Sequence, residues 1–145
     1  MTTQQLSLFT RRKAAKLPPA PEFQVHCMVA DLLRKHCTPG WLWFHVPNGG
    51  ERPAFINNKG KRVSFEGSRL QRMGTRPGVS DILLVEPPDG RLRSLELKRR
   101  GETPDEAQLL FMHDLELAGG VAEWADTFDK AVAILKRWGA VRVSL

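Results

Sequence analysis

Apolar and polar positions along this chain switch between two periods, and the switches mark its elements. Phe23, Cys27, Ala30, Leu32 and Leu33 recur near the 3.6-residue period over 22–36, which predicts a helix ended by Thr38-Pro39-Gly40. The aromatic run from Trp41 to Val46 predicts a strand, and Pro47-Asn48-Gly49-Gly50 a turn. Residues 51–65 are basic, contain glycine and follow no strong period, so they are expected to be irregular, with a short helix around Phe65–Met73. Asp81-Ile82-Leu83-Leu84-Val85 reads as a strand buried on both faces, Pro87-Pro88-Asp89-Gly90 as a turn, and Leu92 to Lys98 as a second strand. Thr103-Pro104-Asp105-Glu106 reads as a helix start, with Thr103 as N-cap, Pro104 in the first position and Glu106 in the capping-box place. That helix runs to Gly119-Gly120. Val121–Ala125 follows as a strand, 127–138 as an amphipathic helix and Ala140–Leu145 as an edge strand. The order predicts an α/β fold: one mixed central sheet flanked by helices, without the glycine fingerprints of nucleotide folds.

At 145 residues the chain is one domain's worth and long enough to bury a core without staples. No apolar run approaches a membrane span, and no secretory h-region follows the start. Cys27 and Cys37 exclude a disulfide scaffold or a four-cysteine zinc site. Both are expected as reduced thiols in the cytoplasm, with Cys27 as a small core residue.

Charge changes the picture more than composition does. The net +6 is unevenly spread. Residues 1–21 carry Arg11, Arg12, Lys13 and Lys16, no acid, and end in Leu17-Pro18-Pro19-Ala20-Pro21. They read as a flexible basic arm and stiff spacer ahead of a domain at 22–145. Residues 51–100 hold twelve basic residues against six acids; residues 101–145 hold four against eight. A basic middle zone suits a phosphate backbone, because each neutralised phosphate releases a counterion.

The chemistry lies on the two central strands. If they form an antiparallel hairpin centred between Pro88 and Asp89, Val85 faces Leu92, Leu83 faces Ser94 and Asp81 faces Glu96. Opposed side chains in such a pair lie about 5 Å apart at Cβ, where like charges repel. Two facing carboxylates at the end of a buried hairpin therefore call for a cation, and an oxygen-only site suits Mg²⁺ or Mn²⁺. Lys98 shares a strand face with Glu96 and is placed to hold an attacking water or balance charge on a phosphoryl oxygen. Gln108 heads a helical stripe with Phe111, Leu115 and Ala118 that is expected to face the sheet, placing the amide at the site. Glu22 opens the first helix, as a first-turn acid or as a further ligand to metal or water. Taken singly these residues have plainer readings, Glu96 and Lys98 as a salt bridge on a solvent face above all; together they point to a site.

Five segments, in this order and spacing, resemble the VRR-NUC domain, a branch of the PD-(D/E)xK nuclease superfamily. They are His45-Val46-Pro47-Asn48-Gly49-Gly50, Gly74-Thr75-Arg76-Pro77-Gly78-Val79-Ser80-Asp81, Leu95-Glu96-Leu97-Lys98, Thr103-Pro104-Asp105-Glu106-Ala107-Gln108 and Leu117-Ala118-Gly119-Gly120, with Glu22-Phe23-Gln24-Val25-His26 fitting the first helix. The resemblance covers roughly 22–138. It implies a restriction-endonuclease-like fold and Mg²⁺- or Mn²⁺-dependent DNA cleavage. Asp81 and Glu96 become metal ligands, with the Leu97 carbonyl as a third and Glu22 as a first-helix acid, direct or through water. Lys98 becomes the water-orienting cation and Gln108 the helix-borne site residue. Stand-alone members of this size resemble Holliday junction resolvases, acting on branched DNA as homodimers; larger relatives carry the domain in DNA repair. The implied setting is the cytoplasm of a bacterial or phage-infected cell. Ser80 departs from the proline usual before the motif aspartate, which supplies no ligand.

Arg69, Arg72, Arg76, Arg99, Arg100, His45 and Asn48 are the candidate DNA contacts, mainly to backbone phosphates. His26 and His36 are expected on the helix surface. Of Trp41 and Trp43, one ring is expected in the core and the other free to stack on a base. Two other readings compete: a non-catalytic DNA-binding module with structural carboxylates, and a regulatory protein whose aromatic surface meets a protein partner.

Overall fold

The computed structural model describes residues 21–47 and 54–144. The basic arm up to residue 20, Asn48 and the Gly49-Gly50 part of the expected turn lie outside the described residues. Among the described residues no helix is long and apolar enough to cross a membrane.

The main sheet has the strand order β1 (Leu42–His45), β4 (Ile82–Glu86), β5 (Arg91–Leu97), β6 (Val121–Ala125). The first three are antiparallel, and β6 runs parallel to β5. The parallel step needs a crossover, supplied by α3 (Glu106–Leu117). Helices α1 (Pro21–His36) and α4 (Phe128–Trp138) pack on the other face. This is the expected mixed α/β sheet with helices on both sides.

The core lies between the sheet and the α1–α4 pair. Ile82, Leu84, Leu95 and Leu97 from β4 and β5 meet Val29 and Leu33 of α1 and Ala131, Leu135 and Trp138 of α4. Side chains alternate along a strand, so the opposite face carries Leu83, Val85, Leu92 and Glu96, beneath α3. The hairpin register is the expected one: Val85 pairs with Leu92 and Leu83 with Ser94. Its loop is Pro87-Pro88-Asp89-Gly90, with Gly90 at φ +74° donating its N–H to the Glu86 carbonyl.

Four expectations are corrected. The buried stripe of α1 is Val25, Val29, Leu32 and Leu33, while Phe23 is 60% exposed and Cys27 is exposed too, so Cys27 is no core residue. The apolar residues of α1 support two neighbouring stripes, and packing on α4 selects the one rich in branched side chains. Residues 51–65 contain a small hairpin, β2 (Phe55–Ile56) with β3 (Arg62–Val63), ahead of α2 (Phe65–Arg72). The Asn57 side chain closes its turn by accepting from the Lys59 and Lys61 amides, a local device that periodicity does not register. Helix α3 starts two residues late: Asp105 is the N-cap and Gln108 completes the box, leaving Pro104 buried before it. The expected last strand is a single bridge, Cys37 to Val141.

Candidate active site

The start of β4 and the end of β5 meet at one end of the sheet. The pairing of Ile82 with Leu95 carries Asp81 opposite Glu96. Asp81 Oδ2 accepts the Leu97 backbone N–H at 2.9 Å, past the point where the β4–β5 ladder ends at Ile82 and Leu95. The N–H and C=O of one strand residue point to the same edge, so the Leu97 carbonyl is aimed toward Asp81 as well.

Glu96 is only 2% exposed. Its Oε1 takes a 2.6 Å hydrogen bond from Gln108 Nε2 and lies 3.3 Å from Lys98 Nζ, while Oε2 is buried without a partner. Burial pushes the carboxyl up to about 7 and the Asp81 charge pushes the same way; the Lys98 ammonium pulls back only in part. A salt bridge on a solvent face is therefore excluded.

Gln108 reaches Glu96 because of how α3 begins. Asp105 Oδ1 accepts from the Gln108 amide, and Gln108 Oε1 accepts from the Asp105 amide, each at 2.9 Å. The carboxamide oxygen is used by the cap, so its nitrogen faces the sheet. Gly78 allows this close approach. At φ +78°, an added Cβ would stand 2.3 Å from the Ala107 carbonyl group and 2.7 Å from the Gln108 nitrogen. Below Gln108 the expected stripe is only partly realised: Phe111 and Leu115 are half-buried, and Ala118 is exposed.

On the other face, His45 Nδ1 lies 2.8 Å from the Asp81 carbonyl oxygen. A carbonyl only accepts, so Nδ1 carries the proton and donates. The His26 ring stands edge-on to His45 at 4.4 Å. Burial, then His45, hold the His26 imidazole below its usual range, with Asp81 pulling it up. His26 is thus half-buried beside the site, against the expectation of a surface residue; the signal for it was its place one turn after Glu22 and on the same helix face.

The carboxylate pair, Lys98 and Gln108 are brought together. Glu22 is half-buried on α1, and among the described residues no three carboxylate, imidazole or thiol side chains converge as a metal cage. Arg69, Arg72, Arg99 and Arg100 are exposed. Arg76 is tied to α3 by a 2.6 Å pair with Asp114 and lies over the Phe111 ring. Trp41 and Trp43 both pack against the core. Sequence reasoning also missed Ser80, fully buried with an unpartnered hydroxyl.

Two carboxylates at a buried strand end, one with a free oxygen, beside a backbone carbonyl and an ammonium, fit a hard divalent cation. No family model and no curated protein matches the chain. Among solved structures, one described as a VRR_NUC domain protein superposes with a TM-score of 0.63 at 16% identity, over 88% of this chain and all of that one. A second, described as a VRR_NUC domain, gives 0.52 at 18% identity over 82% of this chain and 98% of that one. These superpositions, over most of the chain, show that it has the VRR_NUC domain fold.

Proposed function

We propose that the chain is a Mg²⁺- or Mn²⁺-dependent nuclease that hydrolyses DNA phosphodiester bonds, with branched DNA as the preferred substrate and a homodimer as the working form. The observation that carries this reading is the buried Glu96 carboxylate: one oxygen is held by Gln108 and Lys98, and the other is free beside Asp81. Asp81, Glu96 and the Leu97 carbonyl would hold the cation, with Glu22 able to join through water. When bound, the cation supplies Lewis-acid charge at the phosphodiester and activates water.

The remaining work falls to the chain itself. Lys98 orients the attacking water and offsets charge building on the phosphoryl oxygens. Gln108 fixes the orientation of the buried Glu96 carboxylate. His45 holds the Asp81 backbone, and the exposed Arg69, Arg72, Arg99 and Arg100 supply phosphate contacts. A symmetric dimer would match the two-fold symmetry of a junction.

The engagement of Glu96 by Gln108 and Lys98 within the fold suits a second reading, a non-catalytic DNA-binding module with structural carboxylates. One experiment separates the two. Labelled branched and linear DNAs are incubated with Mg²⁺, Mn²⁺ or EDTA, with Asp81→Ala, Glu96→Ala and Lys98→Ala proteins alongside. The nuclease reading expects metal-dependent product, lost in all three variants. No product under any condition, or full activity in a purified variant, overturns it.

A further inference from the structure

The β2–β3 hairpin, α2 and the turn at 75–78 line an open cleft of about 720 Å³, separate from the carboxylate pair. Among the described residues its lining contains Lys61, Arg62 and Arg76 and no carboxylate. Arg76 is already committed to Asp114, whereas Lys61 and Arg62 form no ion pair with any other described residue. Hydroxyls of Ser68 and Thr75 add hydrogen-bonding capacity, and Val63 and Leu70 give the lining an apolar part. The cleft also adjoins the carboxylate centre. Gly78 is packed on the Ala107–Gln108 backbone, and Pro47 follows Val46, whose N–H is bonded to the Asp81 carbonyl.

Unpaired cations, hydroxyl donors and apolar surface together are what a sugar–phosphate chain with its bases requires. The volume falls within the roughly 300–1,000 Å³ of small-ligand sites, room for about one or two nucleotides and too little for a double helix. We propose that this cleft binds the backbone of an unpaired DNA strand next to the bond to be cut, with Lys61 and Arg62 neutralising its phosphates. The proposal rests on the nuclease reading for its substrate class. It adds a specificity: among branched DNAs, those that offer a few unpaired nucleotides beside the scissile phosphate are preferred.

The test is binding in EDTA, where no turnover occurs. Fluorescence anisotropy across a salt series compares a short single-stranded oligonucleotide with a blunt duplex of the same sequence. Lys61→Gln/Arg62→Gln should weaken single-strand binding roughly tenfold and make its log–log salt slope shallower by about 1.4, the value for two phosphates, with duplex binding little changed. Ser68→Glu, which leaves the hairpin untouched, should weaken the same arm. Lys35→Gln/Arg142→Gln removes equal charge near the far end of α1 and should move neither arm. The proposal is overturned if the 61/62 variant does no more than this control, if affinity falls with an unchanged slope, or if both DNAs lose equally. The failures are distinguishable. A protein that never cuts but shows the expected pattern sinks the nuclease reading and keeps the cleft; one that cuts yet is indifferent at 61 and 62 does the reverse.

Discussion

Gln108 holds Glu96 by a 2.6 Å hydrogen bond while its other amide atom closes the N-terminal box of α3. One side chain thus couples the start of a helix to the orientation of a buried carboxylate. The two roles can be parted. Gln108→Glu keeps a box-competent residue but sets a second negative charge against Glu96. It should preserve most of the thermal stability while abolishing cleavage. Gln108→Ala loses the box side chain and should cost about 1 kcal/mol as well as activity. Thermal melts and cleavage rates on the same preparations check both; an active Gln108→Glu protein would show that the amide does not orient Glu96.

Gly78 is the position where backbone freedom matters most for the site. Its φ of +78° disfavours any side chain, and a Cβ would collide with the backbone of α3. Gly78→Ala should therefore lower stability by about 2 kcal/mol or more and reduce cleavage further than DNA binding, since Gln108 is displaced. Denaturant titration with parallel kinetics tests this. Wild-type stability in that variant would contradict the contact.

Stability without metal should depend on pH through Glu96. Its carboxyl titrates near 7 in the fold against 4.5 for the free group. Between those values the folded protein holds a proton that the unfolded chain has released, so stability falls as pH rises through the window. His26 acts oppositely, because its folded-state value lies below 6.5. The informative quantity is the difference between wild type and Glu96→Gln. In EDTA the wild type should lose melting temperature relative to the variant from pH 4.5 toward 7; parallel curves would refute the burial argument.

Ser80 offers a change predicted to help. Its hydroxyl is fully buried without a partner, and such a group costs about 1–3 kcal/mol. Ser80→Ala should raise stability by up to about 1 kcal/mol and leave cleavage intact. A destabilised variant would mean that the hydroxyl has a role.

Most of the fold was legible from spacing. The β4–β5 register followed from its short turn, which fixes which residues oppose each other, and with it came Asp81 opposite Glu96 and Lys98 on the same face. The amphipathic α4 was equally plain, with Thr127 as its N-cap rather than its first helical residue. The small β2–β3 hairpin was not, because two-residue strands carry no measurable period.

The sequence alone determined most of the elements and the acid, acid-x-lysine and glutamine pattern, since these depend on neighbours a few residues apart. Only the tertiary structure decided which stripe of α1 is buried, that His26 sits against His45, and that Lys61 and Arg62 share a cleft with the 75–78 turn. Each of those outcomes is set by contact between segments far apart in the chain, where packing shape and burial choose among arrangements that local pattern leaves equal in energy.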